Sequence, residues 1–373
     1  MSLTTDTRGV SEVVGAILLF GLLVAVLAIL QTQAIPTANE EIEFNHNQEV
    51  QNDLIEFQEA ASRTAAHGTT ESVGIRAGTT YPSRLLFFNP PNPAGTVRTV
   101  EDGEVTIENV EATDDIIRDA HIDGEIDELE TSRIEYEPIY NEYQNPPVTA
   151  LEYGILYNSF PDAQVVENTG AVVSGNNINL MFYAGDVSQA TSGSITLDTI
   201  PASAPSRTVT VEPTDDIEIT VPSNLDATEW EETVFEDEDA VTVSDSGDDI
   251  VIEIDEDAHE NFELRMSQVG VGSAVASADA EYIYPTETGN AVTVDEDETV
   301  EIPIEVRDRY NNPVSGVELE YEANEGDASG PAATDANGQA IVTYEASDED
   351  DTITIDAPDA GAVDEFDIDV TVN

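Results

Sequence analysis

The chain has 373 residues and carries 79 acidic side chains against 11 basic ones, all of them arginine, for a formal net charge of −68. So acidic a surface cannot neutralise phosphates, which excludes DNA, RNA and anionic headgroups as charge-matched partners. The absence of lysine excludes P-loop and Schiff-base chemistry, and the absence of cysteine excludes disulfides and thiolates.

Residues 1–9 form a short polar leader ending in Arg8-Gly9. Val13 to Leu30 then run without a charge or a proline. Eighteen apolar residues sit at the threshold for a membrane-spanning helix, which needs about 20, and exceed the roughly 7–15 of a secretory signal. The predicted lipid or filament contacts on this helix are Val13, Val14, Ile17, Leu18, Leu19, Phe20, Leu22, Leu23, Val24, Val26, Leu27, Ile29 and Leu30. Arg8 precedes the run and the next basic residue is Arg63, so the positive-inside bias puts the bulk of the chain outside.

The string Arg8-Gly9-Val10-Ser11-Glu12-Val13-Val14-Gly15 resembles the class III signal of archaeal type IV pilins and archaellins. The resemblance implies cleavage by a prepilin peptidase at Gly9-Val10, which makes Arg8, Gly9 and Val10 the processing site. It also implies that the helix is kept as an anchor or as a filament core. Bacterial pilins carry a glutamate at the fifth mature position, whereas Glu12 would be the third. The alternatives are an uncleaved anchor and a secretory signal cut near Thr32-Gln33-Ala34.

Pro36 is expected to break or kink the helix, since proline lacks a backbone donor and clashes with the preceding turn. Beyond it, Val50, Leu54, Phe57, Ala61 and Ala65 recur at three- and four-residue steps. That spacing predicts an amphipathic helix docking on its own head domain and ending at Gly68.

From Glu71 to Tyr284, short apolar runs alternate with Pro/Gly/Asn clusters, and the pattern predicts a sandwich-like β domain. Leu85-Leu86-Phe87-Phe88, Asn179 to Tyr183 and Arg207 to Val211 are its example strands. The acids are interleaved with Val, Ile and Thr, as in Val251-Ile252-Glu253-Ile254, and 40% of the residues are hydrophobic. Such a chain buries a core instead of staying disordered. The economical explanation is adaptation to molar salt, where a Debye length of about 3 Å screens the repulsion. Tyr136, Tyr140, Tyr143, Tyr153 and Tyr157 read as half-buried cover over that core. The acidic stretches 112–132 and 232–262 read as solvated loops or edge segments.

Near Gly289 the pattern changes. Val300 to Val306 alternates cleanly, Asn312-Pro313-Val314-Ser315-Gly316 follows, and then comes Asp335-Ala336-Asn337-Gly338. This order resembles the bacterial Ig-like domain of group 1 found in invasin-type adhesins, with Asn312, Pro313, Gly316, Asp335, Asn337 and Gly338 as its turn residues. The resemblance covers roughly residues 288–373 and implies a seven-stranded sandwich used for spacing or adhesion. Asn337-Gly338 is also a strong hairpin signal, because both residues tolerate positive φ.

Candidates for chemistry are thin. His46, His67, His121 and His259 lack metal-ligand spacing, and no HExxH or GxSxG motif is present. Asp114, Asp115, Asp119 and Asp123, Asp245, Asp248 and Asp249, and Asp295, Asp297 and Glu298 do not follow the EF-hand order. They read as surface solvation.

The fold class expected is mainly β: a long N-terminal hydrophobic α-helix, a β-sandwich-like head and a C-terminal Ig-like β-sandwich. The segments are 1–9 (leader), 10–67 (transmembrane, pilin-like helix with amphipathic extension), 68–285 (extracellular β-rich domain) and 286–373 (Ig-like domain). The function expected is that of a halophilic archaeal, type IV pilin-like cell-surface protein, single-pass or in a surface filament, without enzymatic activity or cofactor. Its partners would be membrane lipid, other pilin-like subunits and prepilin peptidase. The rivals are an uncleaved structural surface protein and a membrane-tethered binding protein or hydrolase.

Overall fold

The computed structural model describes residues 8–247, 249–358 and 365–373, with side chains from Glu12 onward. Its spine is one uninterrupted helical rod. Helix α1 (Arg8–Ile29) passes through a π-helical turn (Leu30–Ala34) into helix α2 (Ile35–His67). The expected break at Pro36 is therefore replaced by a wider turn just ahead of it. In that turn the Ile35 N–H reaches back to the Leu30 carbonyl, which makes room for the proline ring and its missing donor without ending the helix. Thr32 and Thr37 add hydroxyl bonds to the carbonyls of Ala28 and Gln33. The rod stops at Gly68, whose φ of 65° is a left-handed cap and whose N–H bonds the Thr64 carbonyl.

The protein is mostly β beyond the rod. Fourteen strands between Glu71 and Val271 form one hydrogen-bonded network. Its path runs from Glu71–Ile75 through Ile195–Ser203, Phe262–Val271, Thr208–Pro222, Ala94–Ala112 and Asp123–Ile139 to the meander Val148–Glu152, Ile155–Phe160 and Ala163–Asn168. Successive residues of a strand face opposite ways, and the network uses both faces. Ile155 and Tyr157 join an inner core with Trp230, Phe182 and Ile219, whereas Leu156 between them joins a second core against α2. In that second core the predicted stripe of Val50, Leu54, Phe57, Ala61 and Ala65 is buried as expected.

Several local expectations are corrected. Leu85 to Phe88 form no strand; the segment from Arg76 to Pro93 has no regular structure. The acidic stretches are largely paired. Strand Asp123–Ile139 buries Ile126 and Leu129, and Val241–Ser246 pairs with Asp249–Ile254, which in turn pairs with Thr208–Pro222. Helix α3 (Asp115–Ala120) starts on the Asp114 carboxylate, which accepts the N–H groups of Ile116 and Ile117. Tyr136, Tyr153 and Tyr157 are fully buried, deeper than cover; Tyr140 and Tyr143 stay half-buried.

The C-terminal unit is a sandwich of two four-stranded sheets around its own core. One sheet holds Ala280–Pro285, Thr299–Asp308, Gln339–Glu345 and Asp327–Ser329. The other holds Ala291–Val294, Glu365–Val372, Asp351–Asp356 and Glu320–Ala323. Its first strand thus begins ahead of residue 286, and the described residues form eight strands where the resemblance implied seven. The Asp335 to Gly338 turn also differs from the expected hairpin. Gly338 has a φ of 73° while Asn337 is not left-handed. The Gly338 N–H bonds the Asp335 carbonyl, and the Asp335 side chain accepts from the N–H groups of Asn337 and Gln339. One left-handed glycine after an ordinary turn is the bulged three-residue form.

Candidate functional site

Three surfaces bear on function, and each follows from how the rod meets the β domains. Along α1, the predicted residues from Val13 to Ile29 are exposed, apart from half-exposed Leu27, and Leu30 opens the π turn with its side chain also exposed. None of the apolar window is buried against the protein. Arg8, Gly9 and Val10 fall in the first turn of α1, with side chains outside the described residues; the rest of the 1–9 leader, residues 1–7, lies outside them altogether.

The second surface is the seam between α2 and the head. Its apolar end is the buried stripe, and its polar end lies nearer the π turn. Glu43 is buried there, yet its carboxylate accepts the backbone N–H groups of Asn141, Glu142 and Tyr143 at 2.8, 2.8 and 2.6 Å, and the Tyr81 hydroxyl. Burial pushes its pKa up, but the Tyr81 hydroxyl and the three N–H bonds outweigh burial and hold the carboxyl below its ordinary value. One turn on, His46 Nε2 donates to the Arg76 carbonyl at 2.8 Å, leaving Nδ1 to accept from the Tyr140 hydroxyl at 2.8 Å. Burial lowers the His46 pKa and keeps the ring neutral. Asp53 receives the Arg76 guanidinium and backbone N–H. Residues 76–93 thereby hang from the rod, and their tip carries Leu85, Leu86 and Phe88, which are 99%, 68% and 83% exposed.

The third surface is the junction between the head and the C-terminal sandwich. Predicted turn residue Asn312 is fully buried and plugs it. Its Nδ2 donates to Ser203 Oγ at 2.9 Å and to the Met266 carbonyl at 2.8 Å, while its Oδ1 accepts the Arg207 N–H at 2.6 Å. Pro313 instead backs onto Gly338, within its own sandwich. Gly316 turns with a φ of 77°. Around the plug, Arg207 of the head and Arg307 share Glu305 at 2.7 and 3.0 Å. His121 donates to the Arg309 carbonyl at 2.6 Å and stacks on Tyr282. Tyr284 reaches Asp114 at 3.1 Å. Asp308 accepts the N–H groups of Tyr310 and Asn312, and burial pushes its pKa up to about 6.

The sequence motifs pointed to Asn312 as a turn residue but not to its partners in the head, nor to Glu43 and Asp308. The histidines do not converge: His46 sits in the seam, His121 in the junction and His67 in the last turn of α2. Among the described residues, no three His, Asp or Glu side chains are grouped to hold a metal ion.

No protein-family model matches the chain. A curated protein of Archaeoglobus fulgidus, described as an uncharacterized protein, is 25% identical over 95 residues. The match spans 26% of this chain and only 16% of that relative's length. Solved structures similar in part include domains 4 and 5 of the S-layer protein SbsC (16% identity, 33% of this chain and 63% of that one, TM-score 0.22). The D00-D0 domain of intimin is another (12% identity, 44% and 92%, TM-score 0.23). The Escherichia coli adhesin FdeC is a third (14% identity, 44% and 59%, TM-score 0.20). With TM-scores this low, the likenesses carry no weight for function.

Proposed function

We propose that this is a membrane-anchored surface-display protein of the archaeal type IV pilin-like class, adapted to molar salt. The observation that carries the reading is the division of one rod. Its first half is apolar and unburied, while its second half buries one face in the head. A soluble protein does not leave a helix of this length and apolarity in water, where each large side chain exposed costs about 1.5–3 kcal/mol relative to burial. Lipid, or the matching helices of neighbouring subunits, would cover it.

On this reading α1 anchors the chain or joins it to a filament, α2 carries the head away from the membrane, and the C-terminal sandwich is the distal contact module. Glu305, Asn312 and His121 keep that module at a fixed angle to the head. The exposed carboxylates hold the surface hydrated and dispersed in concentrated salt.

Mass spectrometry of the mature N-terminus in membrane and surface fractions of the native host tests the class. A terminus at Val10 is expected. An intact leader would leave a plain anchored display protein, and a start near Ile35 would mean a secreted one. Ellipticity followed from molar to millimolar KCl tests the salt adaptation; a loss of structure is expected, and retention of the native signal would refute it.

A further inference from the structure

The two longest acid-free stretches of the chain are residues 13–39 and 72–100. They are distant in sequence and meet along the rod, at Gln31 and at Asn39. The Gln31 side chain donates to the Phe88 carbonyl at 2.9 Å and accepts the Phe88 N–H at 3.0 Å. From the Glu43 contact of Tyr81 the loop descends past Asn39, which accepts from Arg84 at 2.8 Å, to Gln31. That is about 18 Å along the rod at 1.5 Å per residue. The tip is therefore level with the end of the apolar run at Leu30.

We propose that the Leu85–Phe88 tip dips into the lipid bilayer beside α1, as a second membrane contact that fixes the height and facing of the head. The proposal rests on the reading of α1 as a membrane span. Three observations choose lipid as the occupant. The exposed side chains Leu85, Leu86 and Phe88 continue the apolar surface of α1, and among the described residues beyond α1 no other large apolar side chains are so exposed and so close together in the chain. The backbone is partly prepared for an apolar medium, where an unpaired peptide group costs several kcal/mol: Gln31 satisfies both polar groups of Phe88, and Pro90, Pro91 and Pro93 have no N–H to satisfy. The peptide groups of Leu85, Leu86 and Phe87 bond no partner among the described residues, which keeps the tip at the wet headgroup boundary. The loop also lacks any carboxylate, in a chain with 79.

The natural absence of cysteine makes the test direct. Leu22→Cys, Leu86→Cys and Ile341→Cys are each spin-labelled in the full chain, reconstituted in phosphatidylcholine vesicles in molar KCl. Collisions with oxygen are then compared with collisions with a water-soluble nickel complex. The labels at positions 22 and 86 are expected to favour oxygen several-fold over the label at 341, with position 22 the deeper. A position-22 label in lipid beside a position-86 label as open to nickel as position 341 would overturn the loop contact and leave the anchor standing. Nickel access at position 22 would remove the anchor and this contact together. A position-86 label shielded from both reagents and broadened by a second spin would put another copy of the chain on the loop, overturning the assignment to lipid.

Discussion

The seam between α2 and the head and the junction between the head and the C-terminal sandwich each bury a carboxylate, yet they shift its pKa in opposite directions. Glu43 in the seam accepts four donors and is kept ionised below its ordinary pKa. Asp308 in the junction accepts two N–H groups from its own turn, and burial raises it to about 6. Burial is the largest influence on both; at Glu43 the donors outweigh it, and at the more deeply desolvated Asp308 they do not. The difference extends to the energetics of each contact. The seam rests on a broad apolar stripe with a polar end, whereas the junction sets the polar Asn312 plug beside Tyr282 and Tyr310, which are buried in the head core, Tyr310 against Phe182.

The largest loss of stability is expected for Phe57→Ala. Phe57 is fully buried in the seam, so the loss should be about 3–5 kcal/mol. Denaturant unfolding in molar salt checks it; a loss under 1 kcal/mol would mean that the stripe is not what holds the rod.

The pH dependence comes next and has opposite signs in the two places. Asp308 has a folded pKa above its unfolded 3.8, so its contribution is fully present below pH 4 and is lost as pH rises through about 6. Two units at about 1.4 kcal/mol each give at most about 3 kcal/mol. Glu43, lowered, contributes above its unfolded value near 4.5, and that contribution is lost as pH falls through the folded value. Stability of the C-terminal sandwich should therefore fall between pH 4 and 7, and Asp308→Asn should flatten that slope without changing the acid limb set by Glu43. Melting curves across pH read both.

Asn312→Ala strands the Arg207 N–H and the Met266 carbonyl and should cost about 2 kcal/mol. Its distinguishing sign is faster proteolysis between the head and the sandwich, with each unit still folded. The smallest effect is expected for Tyr140→Phe, which removes the hydroxyl donated to His46 Nδ1. A loss of about 1 kcal/mol is expected in the same denaturant assay.

The parts legible in the sequence are those with a local period. The stripe from Val50 to Ala65 declared its helix and its buried face, and the alternation of Val300 to Val306 declared a strand. Leu85 to Phe88 misled because four apolar residues in a row carry no period that separates strand from loop. The prolines just after them were the better guide, since proline cannot join a central strand. At Pro36 the sequence revealed that a backbone bond was missing, but not that a wider turn upstream would absorb the loss. The junction was illegible for a different reason. Asn312 meets Ser203 and Arg207 across more than a hundred residues of chain, and no short window contains that pairing.

The π turn at Leu30–Ala34 also sets an angle. Each helical residue advances the face by about 100°, so one residue accommodated in a wider turn offsets the compass bearing of α1 from that of α2 by about that amount. Deleting one residue there would restore a regular helix at nearly the same bearing, whereas closing the turn into a regular helix with every residue kept would swing the head about a quarter-turn around its own mast. The apolar tip tied to Gln31 would then point along a different bearing from the one the native turn selects.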